Sequence, residues 1–500
     1  MLKKQGFVRV GAIVPKLKVA DTEFNCNEII EQIEIASNNK IQIAIFPELC
    51  ITGYTCQDLF EQDTLLEEAE KSLSKILDYT NNLDIICIIG MPIKQENQLF
   101  NTAVVIQKGR ILGIVPKTFI PNYSEFYEKR WFASSKNTNK KEIEILGQKV
   151  PFGIDLLFKD KTNNEICFGI EICEDVWAVE PPSNKLALLG ANIIFNLSAS
   201  NEVIGKKEYR RELVKMQSAK TISGYVYCSS GVNESTSDVV FSGDSMIFEN
   251  GSCLANNSRF DFKSNMIFTE IDTKRLSNDR RKNTSFMGNP VDLEYREIEI
   301  NIPDNIENLT REYSKTPFVP GDKKKISEIC EEILNIQSYG LAKRLLHTNI
   351  NKTVIGISGG LDSSIITAIS SQYINHLSTY SIDYLDQDKY FQPYDYQLTK
   401  DSDYIDLMVN RYHSHHNNVV LSQKNLIIFL KQSLMARDAP GMADIDSSFL
   451  LFCKEIKRNH KVVLSGECAD EIFGGYPWFY KKELYSLDAF PWIRDIDQRL

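Results

Sequence analysis

Short apolar runs rich in Val and Ile recur along the first half of the chain at 8–14, 43–46, 85–89, 166–172, 193–197 and 225–228, and longer segments of helical period separate them. Strand-length runs alternating with helices predict an α/β fold. Two expected hairpins interrupt the alternation. One covers 103–114 and turns at Lys108-Gly109; the other covers 239–254 and turns at Asn250-Gly251, a pair that favours a type I′ turn. Mixed sheets follow, because such turns join antiparallel strands while helices join parallel ones.

From about 273 to 325 the periodicity fades into KRLSNDRRKNTSF, two prolines and PGDKKK, which reads as a connector. A helix capped by Asp322 is expected next, with Ile326, Ile329, Cys330, Ile333 and Leu334 on one face. The stretch 340–346 then leads into a strand at 353–357. The expected domains are 1–275, a linker 276–325 and a second α/β domain 326–500.

The 500 residues carry 57 Lys+Arg against 67 Asp+Glu, with 43% hydrophobic and 25% charged positions. That balance belongs to a globular chain with room for more than one core and excludes disordered and collagen-like classes. The formal charge of −10 argues against a nucleic-acid partner. It leaves small phosphate-bearing molecules open, since a helix N-terminus binds phosphate even inside an acidic protein. No stretch reaches the roughly 18 apolar residues of a membrane span, so no membrane partner is expected. Eleven cysteines stand without a CxxC pair and read as reduced thiols of a cytoplasmic protein.

All six histidines lie at His347 or later, so a Cys-His pair within the first domain is excluded and any thiol catalysis there needs another base. Three apolar runs each end in a polar residue suited to such chemistry: AIFPE in Glu48, ILGIVPK in Lys117 and CFGIEIC in Cys173. A carboxylate can take a thiol proton, an ammonium can hold that carboxylate ionised and stabilise an oxyanion, and a thiolate can attack an amide carbonyl. Cys167, on the same run as Cys173, reads as core.

These three contexts resemble the nitrilase superfamily, which implies a four-layer α-β-β-α sandwich. The segments ELCITGYTCQDLF, VPKTFIPNYSEFYEKRWF, FGIEICEDVW, NLSASNEVIGKKEYRR and NDRRKNTSF resemble, more narrowly, the glutaminase domain of glutamine-dependent NAD+ synthetases over about 5–360. That resemblance implies Glu48 as base, Lys117 as second catalytic residue and Cys173 as nucleophile. It also implies Tyr123, Ser200 and Lys206 as glutamine-binding residues, and a homo-oligomer.

After the run VIGI comes SGGLDSS, with Ser358, Gly359, Gly360, Asp362 and Ser363, then a helical stretch. A strand, a glycine turn and a helix start form a phosphate cradle. No Lys follows, so this is not GxxxxGK[ST]. The motif resembles the loop of ATP pyrophosphatases and implies a Rossmann-like domain that binds ATP with Mg²⁺. The preceding PFVPGDKKKISEICEEILNIQSYGLAKRL keeps the NAD+ synthetase pattern, whereas IITAISSQY, ARDAPGMADIDSSFLLFCKEIK and VVLSGECADEIFGGYPWF resemble asparagine synthetases. In that family Ser465 and Gly466 would contact the nucleotide, and Glu467, Asp470 and Glu471 would serve metal and chemistry.

The change of resemblance is expected inside the second domain, at the shared SGGLDS, through gene fusion or a joining error. The chain stops at Leu500, before further helices and basic residues either family would supply, so an incomplete synthetase domain is expected. The implied activity is amidation of deamido-NAD+ with ammonia from glutamine. Asparagine formation from aspartate and a plain amidohydrolase with a nonfunctional second half are the alternatives.

Overall fold

The structure is a computed structural model and describes residues 2–234, 238–288, 294–313, 323–350, 352–392, 399–439, 441, 443–469 and 471. It divides into two compact units, Met1–Lys315 and Thr316–Leu500.

The first unit is a four-layer α-β-β-α sandwich. One sheet orders Asn265–Asp272, Phe7–Val14, Ile43–Ile45, Ile86–Gln95, Gln98–Gln107 and Arg110–Pro116. The other orders Ser252–Asn256, Ser245–Glu249, Gly224–Ser229, Ile193–Ser198, Cys167–Ile172, Leu156–Asp160 and Arg296–Ile300. Their inner faces share one core, in which Val10, Ile45 and Ile88 meet Phe158, Phe168, Phe195 and Val226. Helices α1 (Thr22–Asn38) and α2 (Asp63–Thr80) cover the outer face of the first sheet through Ile29, Ile33, Leu73 and Ile76. Helices α3 (Pro182–Leu188) and α4 (Lys206–Lys220) cover the second through Leu186 and Val214. The apolar runs are continuous because both faces of each strand are buried: Ile193 and Phe195 point into the central core and Ile194 into the outer one. Cys167 is buried in that outer layer, as expected for core.

Both hairpins form, with positive φ at both turn residues: 48° and 67° at Lys108 and Gly109, 44° and 78° at Asn250 and Gly251. The second begins at Ser245, not at 239. A third hairpin, Ile86–Gln95 with Gln98–Gln107, was not expected from the pattern.

The proposed linker needs correction. Within 276–325, helix Thr273–Lys282 continues through Lys282, and Arg296–Ile300 is the parallel edge strand of the second sheet beside Leu156–Asp160. Arg280 is held by the carbonyls of Ile222, Ala187, Ala191 and Thr221, so this stretch is stitched into the first unit. Asp322 lies outside the described residues.

In the second unit, 340–346 continues helix Lys323–His347 without a break. Its expected apolar face is largely exposed, with Ile333 at 49% and Leu334 at 63%. Four parallel strands follow, in the order His415–Leu421, Ser378–Tyr384, Val354–Gly356, Val463–Leu464. Chain order is therefore 3-2-1-4, the Rossmann-like arrangement whose direction reverses between the first strand and the fourth.

Candidate active site

Glu48 follows strand Ile43–Ile45, Lys117 follows Arg110–Pro116, and Cys173 follows Cys167–Ile172. The first two strands belong to one sheet and the third to the other, so the packing of sheet on sheet gathers the three residues. Two stitches hold the junction. The Glu48 N–H donates across the sandwich to the Ser198 carbonyl at 3.3 Å. The buried Asp175 carboxylate accepts from Ile172 N–H at 3.0 Å, on the Cys173 strand, and from Phe119 and Thr118 N–H at 2.8 and 3.1 Å, just past Lys117.

Glu48 and Lys117 are fully buried. Lys117 Nζ stands 2.6 Å from Glu48 Oε1 and 2.8 and 2.9 Å from the two oxygens of Glu128. Asn101 Nδ2 donates to the same Glu48 Oε1 at 2.6 Å, and the Tyr54 hydroxyl donates to Glu128 Oε1 at 2.7 Å. Glu48 Oε2 is buried with no hydrogen-bond partner among the described residues. Cys173 sits at the turn from strand to 3₁₀ helix with φ at +45°, in the left-handed region that L side chains rarely adopt. Such strain persists where surrounding structure over-determines it, commonly at functional sites.

The charges explain one another. Burial pulls the Lys117 ammonium down, but Glu128 and Glu48 outweigh it and hold Lys117 protonated well above the ordinary range. One ammonium cannot neutralise two buried carboxylates, and burial lifts Glu128 to about 7. Burial and then Glu48 push the Cys173 thiol up against the pull of Lys117, which favours the thiol over the thiolate. A thiol held in this way would need a base before it could attack a carbonyl.

Of the three expected glutamine-binding residues, Ser200 is buried and its N–H donates to Ser229 Oγ at 3.1 Å. Tyr123 is half exposed and its hydroxyl donates to Glu174 Oε1 at 2.8 Å, on the residue after Cys173. Lys206 opens α4, donates to Asn201 Oδ1 at 2.6 Å and stands over the rings of Phe126 and Trp177. Burial lowers its ammonium. Acidic Glu174 and Glu125 and basic Lys206 thus border the Cys173 turn, a setting suited to a zwitterion. Glu128, Asn101, Tyr54 and Asp175 carried no role in the sequence reading. A glutamate set among Phe126, Tyr127, Trp131 and Phe132 was the available signal that Glu128 is buried and needs a partner.

In the second unit the SGGLDS loop joins strand Val354–Gly356 to helix Leu361–Ser371. Gly359 takes φ +78°, and Ser363 Oγ accepts from the Ser358 N–H at 3.2 Å, closing the loop on the helix start. Gly466, after strand Val463–Leu464, lies so near that a Cβ there would come within 2.8 Å of the Ser363 nitrogen and 2.9 Å of Asp362 Cβ. The two glycine turns thus meet at the carboxyl ends of the strands where the sheet order reverses, the place where open α/β sheets bind ligands. Ser465 and Glu467 are exposed beside them. Asp470 lies outside the described residues. No group of three or more His, Cys, Asp or Glu able to hold a metal forms among the described residues, and of the expected carboxylates only Glu467 and Glu471 are described.

Residues 9–334 match the carbon-nitrogen hydrolase family and residues 352–500 the asparagine synthase family. The glutamine-dependent NAD(+) synthetase of Mycobacterium bovis is 36% identical over 368 residues, covering 72% of this chain and 54% of that protein. Its counterpart from Aquifex aeolicus is 29% identical, covering 70% of this chain and 56% of that protein. A glutamine-hydrolysing asparagine synthetase of Bacillus subtilis is 48% identical over 149 residues, covering 29% of this chain and 24% of that protein. The chain spans about half the length of the NAD(+) synthetases it matches. With residues 9–334 matched, well over half of its length, the chain belongs to the carbon-nitrogen hydrolase family.

Proposed function

We propose that the chain is a glutamine-dependent carbon-nitrogen ligase that amidates deamido-NAD+ to NAD+. The observation that carries the reading is the buried Glu48–Lys117–Glu128 ion cluster facing a neutral Cys173 thiol. Cys173 Sγ attacks the glutamine side-chain carbonyl as Glu48 Oε2 takes the thiol proton. Protonated Glu48 holds Lys117 less strongly, which frees an ammonium N–H for the oxyanion. The C–N bond then breaks, Glu48 returns its proton to the departing nitrogen, and ammonia leaves a glutamyl thioester. Water, deprotonated by Glu48, hydrolyses it and restores the thiol. Tyr123, Ser200 and Lys206 hold the zwitterionic end of glutamine.

In the second unit, Ser358, Gly359, Gly360, Asp362 and Ser363, with Ser465 and Gly466, cradle ATP phosphates at the sheet's reversal. The acceptor carboxylate attacks the α-phosphorus, pyrophosphate leaves, and ammonia displaces AMP. Mg²⁺ belongs to the reading through its affinity for phosphate oxygens. The described residues do not cage it. The eleven unpaired thiols support a reducing, cytoplasmic setting, and no helix among the described residues is long and apolar enough to cross a membrane.

The match of 352–500 to the asparagine synthase family favours a second acceptor, aspartate. The test is one incubation with glutamine, ATP, aspartate and deamido-NAD+, with products quantified. NAD+ with stoichiometric AMP supports the main reading and asparagine the second. Glutamate and ammonia released independently of ATP and both acceptors would leave only an amidohydrolase.

A further inference from the structure

Asn101 has no part in the chemistry above. It lies on strand Gln98–Gln107, fully buried, and its backbone carbonyl accepts the Lys117 N–H at 2.9 Å. Its side-chain Nδ2 donates to Glu48 Oε1 at 2.6 Å, the oxygen that Lys117 Nζ also holds at 2.6 Å. Because only the NH₂ end of the amide can face a carboxylate, this contact fixes which way the amide points. Its Oδ1 is then left buried and unpartnered among the described residues, as is Glu48 Oε2. An orphaned buried acceptor costs about 1–3 kcal/mol, more than an apolar side chain would at that place. A packing role alone therefore does not account for an asparagine here.

The two donors on Glu48 are not redundant. Lys117 is drawn equally toward Glu128, which it meets through both oxygens, and as a flexible point charge it can follow either carboxylate. Asn101 is anchored in a strand and does not move with the ion cluster. We propose that Asn101 is the positioning residue that assigns the two oxygens of Glu48: it pins Oε1 as the hydrogen-bonded oxygen and so leaves Oε2 as the base for the Cys173 proton. Without it, Glu48 is free to turn about its terminal torsion, which is broad and roughly two-fold, and to share both oxygens with Lys117.

The inference rests on the glutaminase reading, yet part of its test needs no glutamine. Asn101→Ala and Asn101→Ser are to be compared with the unaltered chain for the rate at which iodoacetamide alkylates Cys173, located by peptide mapping, across pH 5.5–9. They are also to be compared for glutamine kcat and KM. Loss of the base geometry predicts alkylation near pH 7 slowed roughly tenfold in both variants, and kcat lowered by about 10- to 100-fold with KM within twofold, as for loss of a general base. A merely structural role would lower the melting temperature and leave the alkylation rate of the folded protein and its kcat in place. Alkylation unchanged across that pH range in either folded variant overturns the proposal. Slowed alkylation in a protein that releases no ammonia from glutamine upholds the role of Asn101 and refutes the glutaminase reading instead.

Discussion

Among the described residues Lys117 is the one cation paired with the buried carboxylates of Glu48 and Glu128, and its removal leaves both uncompensated. Lys117→Met should therefore destabilise the first unit by about 3–5 kcal/mol; a melting temperature within a degree of the parent in calorimetry would show that the carboxylates share protons instead. Burial lifts Asp175 from 3.8 to about 8 and Glu234 from 4.5 to about 7. A raised carboxyl favours the protonated folded state, so the stability it contributes is complete below about 4 and is lost as pH rises through 7–8. The first unit is accordingly expected to melt higher at pH 5.5 than at pH 8.5, and a calorimetric series showing the opposite slope would reverse that sign. Glu48, Lys117 and Cys173 were legible in the sequence because each closes an apolar run. Glu128 and Asn101 were not, because their meaning lies in partners 11 and 53 residues away.

Elements were legible where both faces are buried and illegible where one is wet. The strand Cys167–Ile172 is buried at every position and stands out as an apolar run. Arg296–Ile300, REIEI, is an edge strand with charged residues at alternate positions, the composition that blunts an edge, and it passes for a connector. The turn that carries Glu48 depends on Gly90 in strand Ile86–Gln95. A Cβ at Gly90 would stand 2.8 Å from the Glu48 carbonyl carbon and closer still to Leu49 N and Pro47 O. Gly90→Ala must push that backbone off the strand, since these are main-chain atoms with nowhere to turn. It should abolish glutamine hydrolysis and cost about 1–3 kcal/mol; near-parental kcat and melting temperature would mean that the turn tolerates displacement.

At the scale of the whole chain, the proposed division of labour predicts an asymmetric phenotype. Cys173→Ala should remove glutamine-driven amidation while ammonium chloride still drives AMP formation, whereas Gly466→Val should stop both by filling the turn against Ser363. An AMP assay with each nitrogen source checks the pair, and Cys173→Ala equally inactive with ammonium would place the defect in the second unit. Resemblance placed the change of family inside the second fold, at the SGGLDS loop, and the matches overlap there: the one to the Mycobacterium bovis protein covers 72% of the chain and so runs into that fold, while the asparagine synthase match begins at 352. All four strands of that sheet lie within 352–500, the stretch matched to the asparagine synthase family, and the first of them, Val354–Gly356, lies within the NAD(+) synthetase match as well. The strand where the two resemblances overlap pairs on both of its edges with strands that follow the loop, Ser378–Tyr384 and Val463–Leu464. The seam between the two resemblances therefore runs along hydrogen-bond ladders, and the strand before the loop must fit neighbours of the other pattern on either side.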